Sequence, residues 1–374
     1  TVKFRFNEHS STLQHITAFF KYCIFKSKLT GLPFSGKTTL FCALTGQDYS
    51  KFSHSKDIHI GTVNVPDPRL STLFEIFQPK KITYATMEYF DVAVQPSGKG
   101  KGMEPQVLQT LKNADSLIVV LDFFDANANP ENDFQTLVQD FALNDLIIVT
   151  GRLERLKKDL HSGMSGQLAL ENTVLEKCRD VLEGGGMLIE AEFHGDEGRL
   201  LRGFQFLTMK PLLIVLNISE SDLASNAAAD FEKRFENVKK SVCAALCAEI
   251  EMEIAALNEE DRPEFLESMG IKVPALGRLI RLSYESLGLI SFFTVIGSDE
   301  VRAWTVRGGA KAPECAGVVH SDMERGFIRA ETIAYDDLIS AGSLKVAREK
   351  GLLRIEGKDY VVHDGDILTI RFNV

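Results

Sequence analysis

One octapeptide, Gly31-Leu32-Pro33-Phe34-Ser35-Gly36-Lys37-Thr38, limits the folds open to this chain more than any other stretch. It fits the pattern glycine, four residues, Gly-Lys-Ser/Thr. Gly31 and Gly36 allow tight backbone turns, so that successive N–H groups converge into an anion nest. Lys37 supplies a point charge for the outer phosphates, and the Thr38 hydroxyl is placed to ligate a Mg²⁺ bridging them. The helix expected over Thr39-Leu40-Phe41-Cys42-Ala43-Leu44 would aim its positive end at the same phosphates. Tyr22-Cys23-Ile24-Phe25 and Leu29 precede the loop, which gives the strand–loop–helix order that the motif requires. Lys26-Ser27-Lys28 interrupts that strand, where a buried parallel strand calls for an unbroken apolar run.

At 374 residues the chain is long enough for two or three domains. A net charge of −10 argues against a surface that grips nucleic acid throughout. Local basic stretches remain, at Lys99-Gly100-Lys101 and from Arg152 to Lys158. The six cysteines form no CxxC pair and read as free thiols of a reducing compartment. No apolar run reaches about 18 residues, so no membrane span is expected. The start of the chain carries His15 and Lys21 and no small-residue cleavage site, so a signal peptide is not expected either. These features predict a cytoplasmic protein. Residues 1–20 receive no assignment.

After the loop, Gly46 to His59 is polar and irregular, and Thr62 to Val65 alternates like a strand until Pro66-Asp67-Pro68 stops it. Arg69 to Phe77 reads as a helix with Leu70, Leu73, Phe74 and Phe77 on one face. Ile82 to Val92 reads as one strand, with Asp91 at its end. An acidic residue in that position holds Mg²⁺ through water in phosphate-loop nucleotidases, so Asp91 joins Lys37 as a candidate catalytic residue. Leu117 to Leu121 and Pro211 to Leu216 are continuous apolar runs, as in buried parallel strands. The second ends at Asn217-Ile218-Ser219-Glu220, where an amide and a carboxylate can meet a base at the carboxyl edge of a sheet. Between the runs, Asp133 to Leu160 and Gln167 to Glu183 form an amphipathic helical hairpin, readable as a structural arm or as a partner-binding prong. Ser241 to Leu246 reads as the last strand of this part, and Ala248 to Leu257 as a helix. From Ile290 onward short strands alternate with Gly-Asp turns, which marks a separate β-rich domain.

Several segments carry a more specific likeness. They are Gly31-Leu32-Pro33 running into Gly36-Lys37-Thr38-Thr39-Leu40-Phe41, and Val65-Pro66-Asp67-Pro68-Arg69-Leu70. Glu300-Val301-Arg302-Ala303-Trp304-Thr305, His320 to Ile328, Glu356-Gly357-Lys358-Asp359-Tyr360 and Asp364-Gly365-Asp366 complete the set. Together they resemble the YchF / Obg-like ATPase family, a branch of the Obg-related phosphate-loop NTPases, from about Leu29 to Val374. The resemblance implies an α/β fold: a P-loop GTPase-like three-layer sandwich with an inserted coiled-coil hairpin and a C-terminal β-grasp (TGS) domain. The expected limits are 21–132 and 205–289 for the nucleotide-binding domain, 133–204 for the hairpin and 290–374 for the TGS domain.

The resemblance also implies a preference for ATP. Asn217-Ile218-Ser219-Glu220 stands where guanine-reading relatives have Asn-Lys-x-Asp, and Cys247-Ala248 falls in the loop that touches the base. The nucleotide-binding set is then Pro33, Phe34, Ser35, Gly36, Lys37, Thr38 and Thr39 at the phosphates, with Asn217, Ile218, Glu220, Cys247 and Ala248 at the base. Thr38, Ser55 and Asp91 are the expected Mg²⁺ set. The chain departs from the family at four places. Asp91 is followed by Val94 where a switch glycine is usual, and by Gln95. Val119 replaces a family histidine, and Ser55 replaces the metal-ligating threonine. These departures bear on hydrolysis more than on binding. The expectation is a slowly hydrolysing ATP-binding switch that works with the ribosome or with ribosome-associated RNA or protein. No DNA specificity is expected. A GTP-reading translation-factor GTPase and a nucleotide-gated binding module with little turnover are the alternatives.

Overall fold

The computed structural model describes residues 25–52, 57–92, 103–160, 166–223, 227–235, 238 and 241–373. Twelve strands among them build two six-stranded sheets. In chain order they are β1 (Phe25–Thr30), β2 (His59–Asn64), β3 (Lys81–Thr83), β4 (Thr86–Asp91), β5 (Ser116–Asp122), β6 (Leu212–Asn217), β7 (Ser241–Leu246), β8 (Leu289–Ile296), β9 (Glu300–Arg307), β10 (Phe327–Ile333), β11 (Arg354–Glu356) and β12 (Ile367–Phe372). The chain divides into two compact units. One holds Lys26–Val63 and Glu88–Leu287; the other holds Asn64–Met87 and the chain from Gly288 onward. No helix among the described residues is long and apolar enough to cross a membrane.

The first unit is organised by the sheet β2-β4-β1-β5-β6-β7. β1, β5, β6 and β7 run parallel, in a register that sets Leu117 beside Leu212 and Asn217 beside Leu246. Every side chain of Leu117–Leu121 and Leu212–Leu216 is buried, as expected for strands covered on both faces. Parallel pairing brings the carboxyl ends of these strands to one edge, which is where the site lies.

β1 keeps its buried Ser27 and Lys28 by giving both a partner. Ser27 faces Ser116 across the ladder, and their hydroxyls bond at 2.8 Å. Lys28 is buried, donates to the Thr110 carbonyl at 2.5 Å and lies over the Phe90 ring at 5.1 Å. Thr110 belongs to the last turn of the helix Pro105–Lys112, so the ammonium also meets the negative end of that helix. Burial lowers the Lys28 pKa, with Lys26 acting in the same direction.

The strand expected over Ile82 to Val92 is in fact two. β3 pairs in parallel with β9, Thr83 opposite Arg302, while β4 lies between β2 and β1. Thr83 donates to Glu300 at 2.5 Å, and Lys80 pairs with Asp299 at 2.8 Å. The segment Asn64–Met87, expected inside the nucleotide-binding domain, is therefore grouped by its pairing with the C-terminal sheet.

The hairpin consists of α-helices Pro130–Leu160 and Gly166–Glu183. The first starts three residues earlier than its composition predicts, because the Asn129 side chain caps it by accepting from Asn132 N at 3.1 Å. Val149, Leu153 and Leu156 pack against Val174, Leu175, Cys178 and Leu182. Arg152 grips Glu171 with two bonds of 2.7 and 2.8 Å.

The second unit is a mixed sheet, β11-β10-β12-β8-β9-β3, in which β8 and β12 run parallel and β8–β9 and β10–β12 antiparallel. The helix Ala312–Val319 packs on it through Ala312, Cys315 and Ala316 against Phe292, Phe327 and Leu368, which is the arrangement of a β-grasp. Arg69 bonds both Asp67 and Asp364 at 2.7 Å and stacks on Phe293, tying Asn64–Met87 into this unit.

Candidate functional site

The loop Gly31–Gly36 joins β1 to the helix Lys37–Thr45. Gly31 has φ 154°, and a Cβ there would lie 2.3 Å from the Val120 carbonyl oxygen on β5. Gly36 has φ 87°, and a Cβ there would lie 2.1 Å from Asn217 Nδ2. Both glycines of the motif are thus fixed by close approach of neighbouring strands as well as by conformation. The first turn of the helix carries no acidic residue, so its exposed amides and dipole are open to an anion.

Lys37 is 7% exposed and folds back over its own loop. Its Nζ donates to the Leu32 carbonyl at 2.6 Å and to Ser35 Oγ at 3.4 Å. Burial pushes its pKa down to about 8, and the negative charge of Asp91 opposes that shift. Asp91, at the end of β4, is 3% exposed. Thr38 Oγ1 donates to Asp91 Oδ2 at 2.6 Å, while Oδ1 is buried without a partner. Burial raises the Asp91 pKa; the Thr38 hydrogen bond and the Lys37 and His59 charges work against that rise. A buried carboxylate oxygen lacking a donor, next to a hydroxyl, is a donor set for a hard cation. Among the described residues no cluster of three or more His, Cys, Asp or Glu side chains could hold a metal by itself. A cation here would complete its shell with water or with ligand oxygens.

Asn217 closes the site from the β6 side and is 6% exposed. Its Nδ2 donates to the Ser35 carbonyl at 3.2 Å, and its Oδ1 accepts from Ala248 N at 3.0 Å. One side chain thus ties the phosphate loop to the turn after β7. Ile218 is buried, and its N–H reaches the Leu246 carbonyl at 3.0 Å. Glu220 is exposed at the start of the short turn Glu220–Asp222, which Ser219 braces by donating to Asp222 at 2.6 Å. Cys247 and Ala248 are both buried. Burial is the main cause that raises the Cys247 thiol pKa, and the Glu249 and Glu220 charges add to it.

The structure brings Ser35, Gly36, Lys37, Thr38, Asp91, Asn217 and Ala248 into one hydrogen-bonded group, with Thr39 on the helix behind them. Pro33 and Phe34 form the outer turn of the loop. Glu220 stands beyond this group and faces solvent. Ser55, Val94 and Gln95 lie outside the described residues. Val119, in the family's histidine position, is a fully buried core side chain of β5. The Leu32 carbonyl, which holds the Lys37 ammonium, was not among the sequence candidates; every residue carries such a group, so no residue type signals it.

Comparison with known proteins places this geometry among relatives. The family model YchF-GTPase_C, described as a protein of unknown function (DUF933), matches residues 289–373. The ribosome-binding ATPase YchF of Haemophilus ducreyi is 39% identical over 363 residues, covering 94% of this chain and 99% of the relative. The ribosome-binding ATPase YchF of Bacillus subtilis is 38% identical over 362 residues, covering 92% and 98%. Among solved structures, the Schizosaccharomyces pombe YchF GTPase superposes with a TM-score of 0.84 at 27% identity, covering 93% of this chain and 98% of that one.

Proposed function

The chain belongs to the YchF family, and from that membership we propose that it binds ATP, hydrolyses it slowly and uses the bound nucleotide to control its association with the ribosome. The observation that carries the reading is the group assembled around Gly36. A glycine nest, a buried lysine and a Thr38–Asp91 pair stand at the start of a helix whose first turn is free of acidic residues. Such a site stabilises a triphosphate by position and charge rather than by covalent chemistry. Lys37 exchanges the Leu32 carbonyl for phosphate oxygens, and the loop amides take the remaining negative charge.

Thr38 Oγ1 and Asp91 would hold Mg²⁺, Asp91 through water, since Asp91 Oδ1 has no other partner. Bound there, Mg²⁺ supplies charge neutralisation on the β- and γ-phosphates. Asn217 and Glu220 face the base side of the site. Asn217 spends one donor and one acceptor lone pair on the protein, which leaves one N–H and one lone pair. Glu220, one methylene longer than the guanine-reading aspartate, accepts from an exocyclic amine, and the lysine that packs on guanine is replaced by Ile218. These features favour adenine. The nucleotide domain would be the first unit, the hairpin an arm upon it and the TGS domain the C-terminal sheet, in a cytoplasmic protein.

A competition titration of ATP and GTP tests the reading, with sedimentation of ribosomes in the presence of ATP and of ADP. Tighter binding of GTP than ATP, or unchanged binding in Lys37→Ala, would overturn it. Co-sedimentation that ignores the nucleotide would remove the switch and leave a plain binding module.

A further inference from the structure

Phe34 occupies the phosphate loop with φ 68°, and the residue is 87% exposed. Leu32 to Ser35 is a tight turn closed by Ser35 N–H to the Leu32 carbonyl at 3.4 Å. Pro33 takes the second position, where its fixed φ suits a turn; Phe34 takes the third, where φ is positive. That third position belongs by preference to glycine or asparagine, and a bulky residue there is strained. Nothing in the fold returns that cost, because an exposed ring gains no burial.

The loop that carries the ring is held on both sides. The Leu32 carbonyl is held by Lys37 at 2.6 Å, and the Ser35 carbonyl by Asn217 at 3.2 Å. The aromatic side chain therefore has a fixed origin two residues from Gly36, at the rim of the anion nest. The neighbouring Ser35 and Lys37 are buried, whereas Phe34 is not.

We propose that Phe34 is a nucleotide-positioning residue whose ring covers the solvent side of the bound triphosphate. The proposal rests on the nucleotide-binding reading of the loop. An apolar cover excludes water from the phosphates and lowers the local dielectric, which strengthens the attraction between the Lys37 ammonium and the phosphate oxygens. The ring thus slows nucleotide release at the expense of strain in the empty protein. A nucleotide ligand is favoured over a protein partner because the ring rides on the loop that itself contacts the phosphates and is pinned relative to them.

The test compares the full-length chain with Phe34→Gly and Phe34→Tyr, using release of a fluorescent ATP analogue after an ATP chase and melting without nucleotide. Phe34→Gly is expected to melt higher than the parent when empty and to release the analogue about tenfold faster. Phe34→Tyr is expected to keep the parent's rate within about threefold, because a tyrosine ring covers the same area. Release from Phe34→Gly at the parent's rate overturns the proposal. If that variant keeps the rate but loses ribosome co-sedimentation, the ring is a partner contact and the proposal is equally overturned. Absence of saturable ATP binding by the parent chain would instead overturn the nucleotide reading beneath it.

Discussion

Thr38 Oγ1 lies 2.6 Å from Asp91 Oδ2, while the other oxygen of the same carboxylate is buried without a donor. The pair joins the first turn of the loop helix to the end of β4. Because burial raises the Asp91 pKa, its charge is a cost to the empty protein and an asset once a cation arrives. Asp91→Asn keeps the Thr38 bond and removes the charge. The variant is expected to melt at or above the parent temperature, to need more Mg²⁺ for ATP binding, and to release phosphate about a hundredfold more slowly. Calorimetric titration of Mg²⁺ with ATP present checks it. An unchanged Mg²⁺ requirement would show that Asp91 is only a structural acceptor.

Lys37 gives the site a pH dependence of definite sign. In the empty protein burial brings its pKa down to about 8. A bound phosphate favours the ammonium form and so raises that pKa. Below about pH 8 the lysine is charged in both states and adds no pH dependence to binding. Above it the protein must take up a proton to bind, so ATP affinity is expected to fall by up to about tenfold per pH unit. Titrations from about pH 7 to 9.5, in buffers of different ionisation enthalpy, measure both the fall and the proton uptake. Affinity that stays flat to the top of that range would contradict it.

Much of this arrangement is legible from local pattern. Leu117–Leu121 and Leu212–Leu216 announce buried parallel strands because both of their faces are covered, and the loop glycines announce a nest because few other residues can turn there. What stays hidden depends on distant partners. Lys28 looks wrong for a core strand until Thr110 and Phe90 stand beside it. Ile82 to Val92 reads as one run although its alternation slips at Tyr84-Ala85, where the chain leaves one sheet for the other; pairing of Thr83 with Arg302 decides that, and a slip of phase alone does not distinguish it from a bulge. At the site, the spacing of Lys37, Thr38, Asp91 and Asn217 is readable. The link from Asn217 to both Ser35 and Ala248, and the positive φ of Phe34, are not, because backbone carbonyls leave no trace in residue type and phenylalanine is not a residue that signals a positive φ.

Gly36 and Asn217 should be energetically coupled. A Cβ at position 36 would stand 2.1 Å from Asn217 Nδ2, and the backbone there has φ 87°. Gly36→Ala is expected to lower stability by about 2–3 kcal/mol through strain and displacement of the amide, and to abolish ATP binding. Asn217→Ala alone leaves the Ser35 carbonyl and the Ala248 N–H without this partner, at about 1–2 kcal/mol. The double variant removes the clash, so its loss is expected to be smaller than the sum of the two. Denaturant unfolding of the four proteins closes the cycle. Strict additivity would mean that the amide moves aside at no cost.

Asp145 anchors the long hairpin helix to the turn Leu207–Met209 through hydrogen bonds. It is fully buried and accepts from Leu207 N at 3.1 Å and from Thr208 N and Oγ1 at 2.8 Å each. Asp145→Ala strands these donors in the core and is expected to cost about 3–4 kcal/mol, more than an exposed carboxylate could. Asp145→Asn retains one acceptor oxygen and turns an NH₂ group toward a donor, so an intermediate loss is expected. The sign with pH differs from that of a salt-bridged carboxylate. Burial raises the folded pKa above the unfolded value of 3.8, although these three hydrogen bonds and a fourth from Asn144 oppose it. The folded state therefore holds its proton to higher pH than the unfolded chain does. Parent stability relative to Asp145→Asn should rise as the pH falls from neutral through the folded pKa, levelling off below the unfolded one. Denaturant unfolding of both proteins across the acidic range measures this, and a parent that loses ground to the variant on acidification would show that the hydrogen bonds outweigh burial.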